Sequence, residues 1–158
     1  MAIVSLEDLK TRIKPRQRLL GLDLGEKTIG LALSDVLLTV ATPLKTLKRG
    51  KFSADVKALT ALLAEHDIGG LVVGLPLNMD GSEGPSAQSA RAFGRNFAQI
   101  SDCPLAFSDE RLSTAAVTRT LIAADTSRKR RNELVDKLAA AYILQGALDK
   151  LRHLPPHP

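Results

Sequence analysis

Apolar and polar positions divide the chain into short blocks whose period changes along its length. Residues Ser5 to Lys14 place Leu6, Leu9 and Ile13 on one face at helical spacing. Ser5 stands at the cap position, Asp8 lies three residues later, and Pro15 stops the helix. Leu19-Leu20-Gly21-Leu22-Asp23-Leu24 is an apolar run interrupted by one carboxylate. Gly25-Glu26-Lys27 reads as a turn, and Thr28 to Asp35 as the returning strand of a hairpin. A third strand is expected around Thr39 to Leu47. The next helix is expected from Phe52 to His66, capped by Ser53, with Val56, Leu59 and Leu63 inward and Gly69-Gly70 ending it.

Leu71 to Leu75 is continuously apolar, as in a strand covered on both faces. Pro76 to Pro85 reads as a loop. A helix then runs from about Ser86 to Ile100, with Ala90, Phe93, Phe97 and Ile100 buried and Gln88, Arg91 and Arg95 opposite. Pro104 to Phe107 is the fifth strand. A further helix capped by Ser113 turns Val117, Leu121 and Ala124 inward. Asp125 to Arg131 reads as a polar loop, and the last helix spans about Glu133 to Leu151. This order predicts an α/β fold with a mixed five-stranded sheet, its first three strands an antiparallel meander, flanked by helices. It fits one domain over 1–158, made of a helical appendage (1–17), a core (18–151) and a proline-rich tail (152–158).

Three carboxylates stand out against this pattern. Asp23 ends an apolar strand, where a charge is costly unless paired, hydrogen-bonded or metal-bound. Glu110 follows another strand end. Asp136 shares a helix face with Ala140, Ile143, Ala147 and Leu151. Each also has an ordinary structural role open to it: Asp23 capping its turn, Glu110 pairing with Arg111, Asp136 facing a helix dipole. If two strand ends and a helix start meet, the three acids form an all-oxygen cluster suited to Mg²⁺ or Mn²⁺. Such clusters hydrolyse phosphodiesters with two ions roughly 3.5–4 Å apart, one activating water and one stabilising the leaving oxygen.

Charge adds a partner class. The chain has 158 residues, 22 Lys plus Arg against 17 Asp plus Glu, and a net charge of +5, which favours polyanions. Arg128-Lys129-Arg130-Arg131 is either a solvated loop or a phosphate clamp. Aromatic residues make up 3% of the chain, so a surface of stacked aromatic platforms is not expected. The single cysteine, Cys103, fits a reducing cytoplasm and leaves no disulfide framework or multi-cysteine zinc site; no His is placed by any motif to activate it. The N-terminal stretch lacks the pattern of a signal peptide, and no apolar run is long enough for a membrane span. The Asp23-Leu24-Gly25 hairpin could also cradle a nucleotide phosphate, as in sugar kinases and actin-like ATPases. Those proteins enclose the nucleotide between two similar domains, and the P-loop pattern is absent.

Four blocks carry a family resemblance. They are Leu20 to Gly25 with Lys27, Ile29-Gly30 and Ala32; Val72 to Ser82; Asp109 to Thr114; and Val135 to Ala140 with Ile143-Leu144. In this order they resemble the YqgF (RuvX) family of pre-16S rRNA nucleases, also described as Holliday-junction resolvases. The resemblance implies an RNase H-like fold and a divalent-metal nuclease with Asp23, Glu110 and Asp136 as catalytic and metal-binding acids. Asp109 is a reserve ligand, directed away from Glu110 by strand alternation. Lys27, Asn78, Arg111 and Arg128, Lys129, Arg130 and Arg131 are the candidate substrate contacts. The implied partners are precursor rRNA, alternatively branched DNA, with ribosomes or pre-ribosomal particles nearby, for a monomer or homodimer. A non-catalytic RNA- or ribosome-binding module remains the reading from a different class.

Overall fold

The computed structural model describes residues 3–109 and 128–153, and of 128–136 the backbone alone. The elements are α1 (Leu6–Arg12), β1 (Arg18–Leu24), β2 (Thr28–Ser34), β3 (Ala41–Lys48), α2 (Phe52–Glu65), β4 (Ile68–Leu75), α3 (Pro85–Ile100), β5 (Leu105–Asp109) and α4 (Arg128–Arg152). The helix expected from Ser113 lies outside the described residues. The sheet order is β3-β2-β1-β4-β5. β1–β2 and β2–β3 are antiparallel, whereas β1–β4 and β4–β5 are parallel, so the expected meander opens a mixed sheet.

Side-chain alternation sorts the core into two layers. Leu20, Leu22, Ile29, Leu31, Leu71 and Val73 pack with α2 and α3 through Leu59, Phe93 and Phe97. Leu19, Ala32, Val72 and Ala106 face the other way, onto Leu9 of α1 and Ala140, Leu144 and Leu148 of α4. Fully burying each leucine contributes about 1.5–3 kcal/mol. All eight residues of β4 are buried, as its unbroken apolar sequence requires. Pro43 sits in the edge strand β3, next to a register shift, where a missing N–H is tolerated.

Several boundaries differ from expectation. Ser53 lies inside α2, whose N-cap is Lys51; Asp55 is buried and accepts from the Gly50 N–H at 3.0 Å. Leu63 packs half-buried against the core as expected, and Leu62 beside it is the buried residue of that turn. Gly69 and Gly70 do not end α2 but belong to β4; His66 is the C-cap, followed by Asp67 at φ 52°. Ile100, the last residue of α3, is 62% exposed. Arg128 to Arg131 are helical and open the described part of α4. In α1 the cap is as expected, with Ser5 Oγ accepting from Asp8 N at 3.1 Å.

The β2–β3 connection is tied by Asp35. Its carboxylate accepts from Thr39 N (2.7 Å), Val40 N (3.0 Å) and the Thr39 hydroxyl (2.5 Å). Partial burial pushes this carboxyl up, but the hydrogen bonds outweigh burial and hold its pKa at about 2. The folded pKa is therefore below the unfolded one. The resulting stability is present above pH 4 and disappears as pH falls towards 2. Because the loop is solvated, the expected contribution is about 1 kcal/mol. Asp35→Asn should be less stable than the parent near neutrality and converge with it only as pH approaches 2 in urea unfolding. A gap independent of pH would show that the carboxylate charge is not involved.

Candidate functional site

Four constraints fix one end of the sheet. β1, β4 and β5 run in parallel, so their C-terminal ends share an edge. Leu9 of α1 packs where a Cβ on Gly70 would lie, near the start of β4. Lys10 Nζ donates to the Leu151 carbonyl at 3.0 Å, which places the C-terminal end of α4 beside those strand starts. In mid-sheet α4 crosses β1 at Gly21, where a Cβ would stand 2.8 Å from Leu144 Cβ and 3.1 Å from the Ala140 carbonyl. Hence α4 runs antiparallel to β1, and its N-terminal part points to the strands' finishing ends.

Asp23 stands at this edge. It is 7% exposed and lies on the face covered by α4, two residues beyond Gly21. It pairs with Gly30 of β2, which pairs with Thr46 of β3. On its other side the next step after the Leu22–Val73 pair is Gly74, which pairs with Ser108 of β5. The row across the sheet is thus Thr46, Gly30, Asp23, Gly74, Ser108. Neither strand beside Asp23 contributes a side chain in that row.

The other expected acids divide. Helix position 136 is one turn N-terminal of Ala140, on the side towards Asp23's end; its side chain lies outside the described residues. Glu110 and Arg111 also lie outside them. Asp109 pairs with Leu75, a residue of the α2/α3-side core, so it occupies the face opposite Asp23. Among the described residues no three His, Cys, Asp or Glu side chains stand close enough to hold a metal ion. The candidate donors are all carboxylates, a hard-oxygen set that fits Mg²⁺ or Mn²⁺.

The candidate substrate contacts that fall among the described residues lie about the same edge. Lys27 is exposed in the β1–β2 turn. Asn78 follows β4 in a turn built by its own bonds: Asn78 Nδ2 donates to Ser82 Oγ (2.9 Å), Asn78 N to the Ser82 carbonyl (2.9 Å), and Gly81 N to the Asn78 carbonyl (2.8 Å). Ser82 is held further by Asp80 Oδ1, through its N–H at 2.9 Å and its hydroxyl at 2.6 Å. Arg128, Lys129, Arg130 and Arg131 occupy the first described turn of α4, at the Asp23 end of that helix. Sequence reading did not find Arg49, which braces the turn: its Nη1 donates to the Gly25 carbonyl at 2.7 Å, its N–H to the Lys27 carbonyl at 2.8 Å, and its guanidinium lies 5.9 Å from the Phe93 ring centroid. Only pairing of β3 with β2 brings Arg49 there. Cys103 precedes β5; burial pushes its thiol up to about 11, which keeps it an unreactive thiol.

A family model described as "RuvX: Holliday junction resolvase" matches residues 17–150. The chain belongs to the RuvX family. A "Putative pre-16S rRNA nuclease" of Jannaschia sp. (strain CCS1) is 57% identical over 157 residues, covering 98% of each chain. One of Paramagnetospirillum magneticum is 59% identical over 149 residues, covering 94% of this chain and 96% of that protein. Among solved structures, T. thermophilus RuvC in complex with Holliday junction substrate matches with TM-score 0.53 at 14% identity, over 89% of this chain and 99% of that one. The fowlpox virus resolvase matches with TM-score 0.50 at 12% identity, over 85% and 99%. These likenesses show that this RuvX chain has the RNase H-like fold that the family resemblance implied, and the mixed five-stranded sheet expected from its strand and helix order is present. No described helix is long and apolar enough to cross a membrane.

Proposed function

We propose that this chain is a divalent-metal-dependent nuclease acting on phosphodiester bonds in 5′-end processing of precursor 16S rRNA. The observation that carries it is the buried Asp23 carboxylate, flanked by glycines at the finishing end of β1, in a chain of the RuvX family. Asp23, Glu110 and Asp136 would hold Mg²⁺ or Mn²⁺. When bound, the ions supply the positive charge that lowers the pKa of water and stabilises the leaving oxygen. The chain itself positions the substrate. Lys27, Arg111 and the Arg128 to Arg131 run would pair with phosphates, and the rigid Asn78–Ser82 turn would hold the strand beside Asp23. No side-chain nucleophile is required. The names of the curated relatives favour precursor rRNA, and the cytoplasm is the matching compartment. The description of the family favours a second reading, resolution of four-way DNA junctions.

One experiment separates the readings. A precursor 16S rRNA fragment and a four-way DNA junction are offered at one salt concentration, with and without Mn²⁺, to the parent and to Asp23→Asn. Metal-dependent cleavage of the RNA, lost in the variant, is expected. Cutting of the junction alone would select the resolvase. Binding without cleavage under any condition would leave a non-catalytic module.

A further inference from the structure

We propose that the corner joining the β1–β2 turn to the β3–α2 connection, centred on Lys48 and Lys51, extends the substrate surface as a binding site for the phosphodiester backbone of a single nucleic-acid strand. It would hold the strand that extends from the Asp23 edge towards β3. This surface presupposes the nuclease reading and specifies how far the substrate reaches. Lys48 pairs with Thr28 and has the same strand parity as Thr46, so it lies on the Asp23 face of the sheet. Asp23 and Thr46 are two strand spacings apart, about 10 Å. Lys48 is two pairs further towards the open end, and Arg49 and Lys51, just beyond it, close the corner.

The corner presents cations to an anionic ligand. Lys27, Lys48 and Lys51 are all exposed, and among the described residues the ion pairs are Arg91–Glu83 and Arg152–Asp149, neither involving these lysines. Among the described residues no ion pair joins them to the nearby acids. Asp55 is buried and occupied by the Gly50 N–H, and Glu26 is exposed in the turn. Arg49 is spent on the Gly25 carbonyl and Phe93, so it fixes the shape of the corner and leaves the lysines to meet phosphate. A polyanion with regularly spaced charges satisfies such a row, and the sheet edge leads it directly to Asp23.

The test measures binding of a single-stranded RNA by the full chain in the Asp23→Asn background, across a salt series. Lys48→Ala/Lys51→Ala is compared with Lys14→Ala/Lys150→Ala, which removes the same charge at the opposite end of the molecule. For a single strand each lost phosphate contact flattens the slope of log K against log salt by about 0.7. The corner variant should therefore lose about 1.4 of slope and bind several-fold more weakly, while the control keeps its slope. Equal slopes for the two double variants, with both folded by circular dichroism, would overturn the proposal. Cleavage by the Lys48/Lys51 variant in an otherwise parental chain is scored separately. Failure of the nuclease reading would show as no metal-dependent cleavage by any variant, whatever the slopes.

Discussion

Asp23→Asn should abolish cleavage while leaving the fold and most of the affinity for nucleic acid in place. Residues that merely orient a metal ligand cost about 10–100-fold when replaced. A carboxylate that itself holds the ion should cost more than about 100-fold in kcat. The amide is isosteric and keeps one carbonyl oxygen, so it fits the space beside Gly30 that the carboxylate occupies. It cannot supply the negative charge that a hard cation requires. The loss should appear in single-turnover cleavage with Mn²⁺ and be absent from metal-free binding. Cleavage within a few-fold of the parent would remove Asp23 from the reaction and with it the nuclease reading of this edge. A parallel loss of affinity and melting temperature would instead give Asp23 a structural role.

How much of this was legible in the sequence depends on the range of the interaction. Asp23 was readable because an acid inside an apolar strand contradicts its neighbours, and that contradiction is local. The meander was readable from Gly25-Glu26-Lys27 and the alternating runs around it. The row Thr46, Gly30, Asp23, Gly74, Ser108 was not, because it joins residues up to 85 positions apart through pairing register. Gly69-Gly70 looked like a helix stop, yet these glycines serve close packing. A Cβ on Gly69 would collide with the Gln17 side chain, and one on Gly70 would lie 2.6 Å from Leu9 Cδ1. Tertiary contact to the segment before β1, and not helix termination, explains both. The basic run from Arg128 looked like a loop because four consecutive charges show no apolar period. Arg and Lys are good helix formers, and the helix continues through them. Ile100 kept the spacing of a buried face but is the final residue of its helix, past the buried Phe97.

The spacing between α4 and β1 should matter as much as any side chain at the edge. Gly21 is where the two elements touch, two residues from Asp23 and level with Ala140, one turn from position 136. In Gly21→Ala the new methyl would stand 2.8 Å from Leu144 Cβ and 3.1 Å from the Ala140 carbonyl. Neither neighbour is the free end of a flexible side chain, so the helix must move away from the strand. Overpacking of this kind costs about 1–3 kcal/mol. A displacement of about 1 Å between groups that act together can cost about 100-fold in rate. Gly21→Ala should therefore unfold at lower urea and, measured well below its transition, still cleave far more slowly than the parent. Gly146→Ala on the same helix supplies the contrast. Its methyl meets nothing within 4 Å, so it should gain about 0.5–1 kcal/mol from helix propensity and cleave normally. If folded Gly21→Ala cleaved like the parent, the position of α4 against β1 would be irrelevant to the reaction, and Asp136 would have no place beside Asp23.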